Sequence, residues 1–163
     1  MHKDTKKMMH LTLFLALNII LHFFDPGLNF FGAKLGIANI VGIVILKWYG
    51  PKDMLVNNLL RVLLTSLMRG TLFNTPFFTS LSGVILSTVA VIIVNYLLDP
   101  SIVMLSVVSS IFHPIGQIFI ISSLYSTSQI YILLPLLLIL SILAGVATGK
   151  LTEEILRRMR RTQ

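Results

Sequence analysis

The chain has 163 residues, of which 55% are hydrophobic and only 12% charged, and its mean hydropathy is +0.89. That composition leaves too little polar surface to cover a core in water, which argues against an ordinary soluble domain. Thirteen bases against six acids give a net charge of +7, but the bases cluster at chain ends and in connections, where they report topology rather than a nucleic-acid patch. With no cysteine, neither disulfides nor thiolate metal sites contribute.

The first apolar run, 8–24, follows Lys3, Lys6 and Lys7. No small-residue cleavage site ends it, and "FDPGLNFFGAKLG" leads into more apolar sequence, so it reads as a retained helix rather than a signal peptide. The second run, 35–49, closes on Trp48, Tyr49, Gly50 and Pro51, interfacial aromatics before a breaker. The third, 53–69, carries Asn57, Arg61 and Thr65 and is the least lipid-like. The fourth, 77–98, stops at Asp99-Pro100, and the fifth, 101–124, is interrupted by His113-Pro114. An uncharged "YSTSQ" turn precedes the sixth, 130–149, and a basic amphipathic tail, 150–163, is expected to lie on an anionic leaflet.

The expected fold is therefore an all-α integral membrane protein, one transmembrane domain over 1–163 with about six spanning helices. Ten of the thirteen bases fall before the first run, around the second connection and at the end of the chain. An even number of crossings puts all three places on one side, so both termini are expected in the cytoplasm. A bilayer core of about 30 Å asks for about 20 helical residues, so the second and third runs are short and point to a cavity entering from one face.

An ionisable group in hydrocarbon needs protein or water around it. Asn57, Arg61, Thr65 and Arg69 recur every four residues along the third run, and Ser106, Ser109 or Ser110, His113 and Gln117 recur similarly along the fifth. Asn39 lies between Gly36 and Gly42, with Lys34 at the outer mouth. Lys34, Asn39, Asn57, Arg61, Arg69, His113 and Gln117 are thus the candidate substrate-binding residues, rich in donors without a buried carboxylate, and an anionic ligand is the simplest partner. The plainer alternative is that Arg61 snorkels and that Asn39 and His113 tie helices together. Gly32 with Gly36, Ser80 with Gly83 and Ser87, and Ser141 with Gly145 and Gly149 are small-residue stripes expected to pack helices closely.

No aspartate cluster for Mg²⁺-diphosphate chemistry, no metal-ligand spacing and no phosphate-binding glycine loop occurs, so no enzyme activity, metal or cofactor is expected. Asp25, Asp53 and Asp99 all stand at helix ends, which leaves no intramembrane carboxylate for ion coupling.

The blocks "GAKLGIANIV", "LLRVLLTSLMRGTLF", "SLSG" and "HPIGQ", in this order, resemble the Gx transporter family, also catalogued as heptaprenyl diphosphate synthase component I and related to the S components of energy-coupling factor (ECF) transporters. The resemblance runs from about Asp25 to Arg158 and matches Lys34, Gly36, Asn39, Arg61, Gly70, Thr71, Phe73, Ser82, Gly83, His113, Gly116 and Gln117. It implies a small helical bundle in the bacterial cytoplasmic membrane, in contact with membrane lipids. Such a bundle captures a substrate outside and releases it inside with a transmembrane coupling subunit and ATPases. S components meet that subunit through an Ala-x-x-x-Ala face on the first helix; here Thr12 and Ala16 occupy it. Pro114 stands where Asn is frequent in the family, and "LLTSLMRG" lacks the usual glycine pair. The implied ligand is a quinone or isoprenoid precursor or another vitamin-like compound. The alternative implied role is a non-catalytic scaffold for a polyprenyl diphosphate synthase or for flavin-based extracellular electron transfer.

Overall fold

The computed structural model describes residues 3–24, 37–126 and 128–161. Among these the regular structure is helical: α1 (Lys3–Phe24), α2 (Ile37–Tyr49), α3 (Pro51–Met68), α4 (Thr75–Leu97), α5 (Ile102–Tyr125) and α6 (Leu134–Arg161), with a 3₁₀ turn (Ser128–Leu133) leading into α6. The boundaries follow local chemistry. Gly50, at φ 100°, lets the chain reverse, and Pro51 then opens α3 where its missing N–H costs nothing. α3 ends where Gly70 takes a left-handed φ of 65° and the Thr71 amide donates back to the Ser66 carbonyl. Ser101 caps α5 by accepting the Met104 amide at 3.1 Å.

Helix α2 is the centre of the bundle. Every residue from Ile40 to Leu46 is buried, and α1, α3, α5 and α6 surround it. A helix walled by protein in this way need not match the bilayer thickness. Around it, α4, α5 and α6 form a tight slab. A β-carbon on Gly116 would stand 2.7 Å from the Ser82 carbonyl oxygen, and one on Gly83 would stand 2.9 Å from that of His113. On the other side of α5, Gly145 and Gly149 approach the α-carbons of Val107 and Val103 just as closely. These are the expected small-residue contacts, with Gly32 and Gly36 outside the described residues. Ser82 Oγ donates to the Gly116 carbonyl at 2.7 Å, and the hydroxyls of Ser106 and Thr148 meet at 2.9 Å.

At one end of the bundle Lys7 pairs with Asp53 at 2.8 Å, His10 Nδ1 meets the Tyr49 hydroxyl at 2.6 Å, and Lys47 donates to Asn95 at 2.9 Å. These contacts gather the start of α1 and α3 with the close of α2 and α4. The first turns of α3 and α4 therefore point to opposite ends. Lys6, Lys7, Lys47 and Lys52 share this basic end.

The sixth helix differs from its expected bounds. It begins at Leu134 and runs through the segment expected as a separate tail, as far as Arg161. Thr152 and Leu156, one turn apart, are buried and extend the packed stripe past Gly149. Three stretches are long and apolar enough to cross a membrane, Thr75–Leu97, Ile102–Tyr125 and Gln129–Met159, as an integral membrane protein requires.

Candidate functional site

The end opposite the Lys7–Asp53 pair holds a polar cup of about 750 Å³. Its wall comes from four helices. α3 contributes Thr65, Ser66 and Arg69, the turn after it Thr71 and Asn74, the first turns of α4 Thr75, Thr79 and Ser80, α5 Gln117 and Tyr125, and α1 His22. Each element has a reason to end there. Gly70 turns the chain just past Arg69, while the N-terminal turns of α4 bring a run of hydroxyls that an apolar helix interior would not tolerate. The Tyr125 and Thr75 hydroxyls lie 3.3 Å apart across the rim.

The cup is cationic and donor-rich. The Arg69 guanidinium sits 4.8 Å from the centre of the Phe23 ring, which orients it by cation–π attraction and leaves its N–H fork for a ligand. Among the described residues no carboxylate lines the cavity. A volume of about 750 Å³ is within the range of small-molecule sites, roughly 300–1,000 Å³. Among the described residues no group of three His, Cys, Asp or Glu side chains is placed to hold a metal ion.

The residues singled out from the sequence separate in the structure. Arg69 and Gln117 line the cup, with Thr65 between α3 and its floor. Arg61 lies one turn deeper on α3, 4% exposed, with its carbonyl accepting the Thr65 hydroxyl at 2.7 Å. Asn57, deeper still, accepts from Asn18 Nδ2 at 3.3 Å and donates to the Leu11 carbonyl at 3.1 Å, which makes it a tie between α3 and α1. His113 packs its ring against Gly83 at the α4–α5 crossing rather than lining the cavity. Asn39, half-buried in the first turn of α2, does not line it either, because α2 is core and α4 takes the expected place of α2 in the wall. Lys34 is outside the described residues. Thr12 and Ala16 lie exposed on α1, near exposed Leu13 and Leu17, with Thr12 turned to the groove between α1 and α3.

Other residues emerge only from the structure: His22, Asn74, Thr75 and Tyr125 in the cup, and Asn18 and Asn58 in the interior. Asn58 donates to the Thr88 hydroxyl at 3.0 Å and so joins α3 to α4. Asn18 and His22 are one helical turn apart, the same spacing that exposed the stripe on α3.

A second, smaller cavity of about 260 Å³ runs between α1 and α3 near the basic end. Met8, Leu11, Val56 and Leu60 make it largely apolar, and Thr12, Lys52, Asp53 and Asn57 supply its polar groups.

A family profile described as heptaprenyl diphosphate synthase component I matches residues 11–155, which takes in part or all of each helix. The chain belongs to this family. No protein of curated function and no solved structure shows significant similarity to it. Of the four blocks that carried the resemblance, "GAKLGIANIV" lies partly outside the described residues, and the other three do different work. "SLSG" and "HPIGQ" meet as the α4–α5 crossing, whereas "LLRVLLTSLMRGTLF" supplies one side of the cup.

Proposed function

We propose that this protein is a substrate-binding membrane subunit that captures a small anionic or amphiphilic metabolite in the cup. The observation that carries the reading is a cavity of about 750 Å³ holding Arg69, His22 and Gln117, with no carboxylate among the described residues that line it. An anion entering it gains charge-assisted hydrogen bonds from a guanidinium already fixed over Phe23. In this reading the bundle crosses the membrane six times, with the basic end in the cytoplasm and the cup facing out. α1 to α3 can be short or polar because their neighbours shield them. The metabolite class that suits such walls is a quinone-precursor carboxylate, a prenyl phosphate or a vitamin-like acid. The exposed side of α1 with Leu13, Ala16 and Leu17, bordered by Thr12 at the α1–α3 groove, is the surface left for a coupling subunit.

The test is thermal unfolding of the purified protein with quinone precursors, prenyl phosphates, flavins and vitamins. A ligand at about one hundred times its Kd stabilises the fold by about 2.7 kcal/mol. We expect one class to do so and Arg69→Gln to abolish the effect. If none stabilises the protein and Arg69→Gln leaves uptake unchanged, the reading fails.

The family description favours a second reading, a non-catalytic accessory partner of a polyprenyl diphosphate synthase. Co-purification of such a synthase, or of a flavoprotein from an electron-transfer system, without ATPase subunits and without vectorial uptake, would select it.

A further inference from the structure

The two cavities lie on one row of α3. Asp53, Asn57, Arg61, Thr65 and Arg69 follow each other at one-turn spacing and wind around the helix. Asp53 and Asn57 line the lower groove, Thr65 and Arg69 line the cup, and Arg61 alone of the row lines neither. Eight residues separate Asn57 from Thr65, so at about 1.5 Å rise per residue the cavities are about 12 Å apart along α3. That is well under half of a hydrocarbon core of about 30 Å. The layer between them is centred on Arg61, 4% exposed, and Asn18, 0% exposed.

The α1–α3 seam that closes this layer is unlike the α4–α5–α6 slab. Neither α1 nor α3 contains a glycine, so their backbones are held apart by side chains. What joins them here is polar: the Lys7–Asp53 pair, the Asn18–Asn57 bond and the Asn57–Leu11 bond. Asn18 Oδ1 is buried with no hydrogen-bond partner among the described residues, so this layer is polar without being fully paired there.

We propose that the α1–α3 seam is a translocation path for an amphiphilic organic anion, with Arg61 as the relay between cup and groove. This rests on the cup being a ligand site. The anion exchanges Arg69 for Arg61 as α1 parts from α3, and its apolar part enters the groove beside Val56 and Leu60. No carboxylate stands on α3 between Asp53 and Arg69 to couple an ion to the movement.

The chain has no cysteine, so single-cysteine variants of the full protein can be labelled without background. Thr65→Cys, Asn57→Cys and Arg61→Cys would be treated in right-side-out and everted vesicles with the membrane-impermeant sulfonatoethyl methanethiosulfonate. Asn18→Cys reports the same layer with Arg61 retained, should Arg61→Cys fail to assemble. We expect Thr65→Cys to react from one side, Asn57→Cys from the other, and the layer position from both. Its rate should be roughly 10- to 1,000-fold slower than at Thr65→Cys, as for an open state populated at about 0.1–10%. Reaction of Arg61→Cys and Asn18→Cys from one side only, or from neither, would overturn the path and leave the cup reading standing. No reaction at Thr65→Cys from either side would overturn both.

Discussion

A methyl group on Gly116 would stand 2.7 Å from a backbone oxygen of α4, and backbone cannot swing aside as a side chain can. Gly116→Ala is expected to cost about 1–3 kcal/mol through forced separation of α4 and α5, read as a lower unfolding midpoint in detergent. The asparagines behave differently. Removing Asn18 alone leaves Asn57 Oδ1 without its donor, while removing both leaves no orphan on that side. A double-mutant cycle of Asn18→Leu and Asn57→Leu should therefore return a coupling of about 0.6–1.7 kcal/mol, the range of interhelical hydrogen bonds in membranes. Arg69 and Gln117 were legible from sequence because polar groups at helical spacing stand out in an apolar run. His22 and Tyr125 were not, because polar residues at helix ends are ordinary. Spacing placed His113 on the right face of α5, but could not say that Gly83 of α4 covers that face.

Among the elements, α6 shows where periodicity was readable and was outweighed by charge. Leu151, Ile155 and Met159 continue the apolar pattern past Gly149, yet with the arginines between them they read as a basic amphipathic tail on an anionic leaflet. Burial of Thr152 and Leu156 makes this part of α6 structural. Leu156→Ala is expected to destabilise the protein by about 2 kcal/mol or more in a denaturant titration, whereas an exposed leucine such as Leu151 should tolerate alanine. The helix count and most boundaries were legible because Gly50-Pro51, Arg69-Gly70 and Asp99-Pro100 break the chain in backbone terms that need no tertiary context. The core position of α2 was not, since an apolar run looks the same whether lipid or protein surrounds it.

For the whole molecule, charge is the readable quantity. Lys6, Lys7, Lys47 and Lys52 meet at one end, while Arg69 is the cation in the described wall of the other apart from His22. A fluorescent protein fused to the C-terminus should fold and emit, and an alkaline phosphatase fused there should be inactive, as a cytoplasmic end requires. The opposite pattern would invert the bundle and turn the cup inward. The arrangement of α2 carries a further consequence, for biogenesis. This helix is second in the chain, yet two of its walls, α5 and α6, come last. It emerges from the ribosome well before the surfaces that bury it exist. In the six-span reading proposed above, the face of α2 is therefore covered only when the last hairpin arrives, and assembly is completed from the C-terminal half backward.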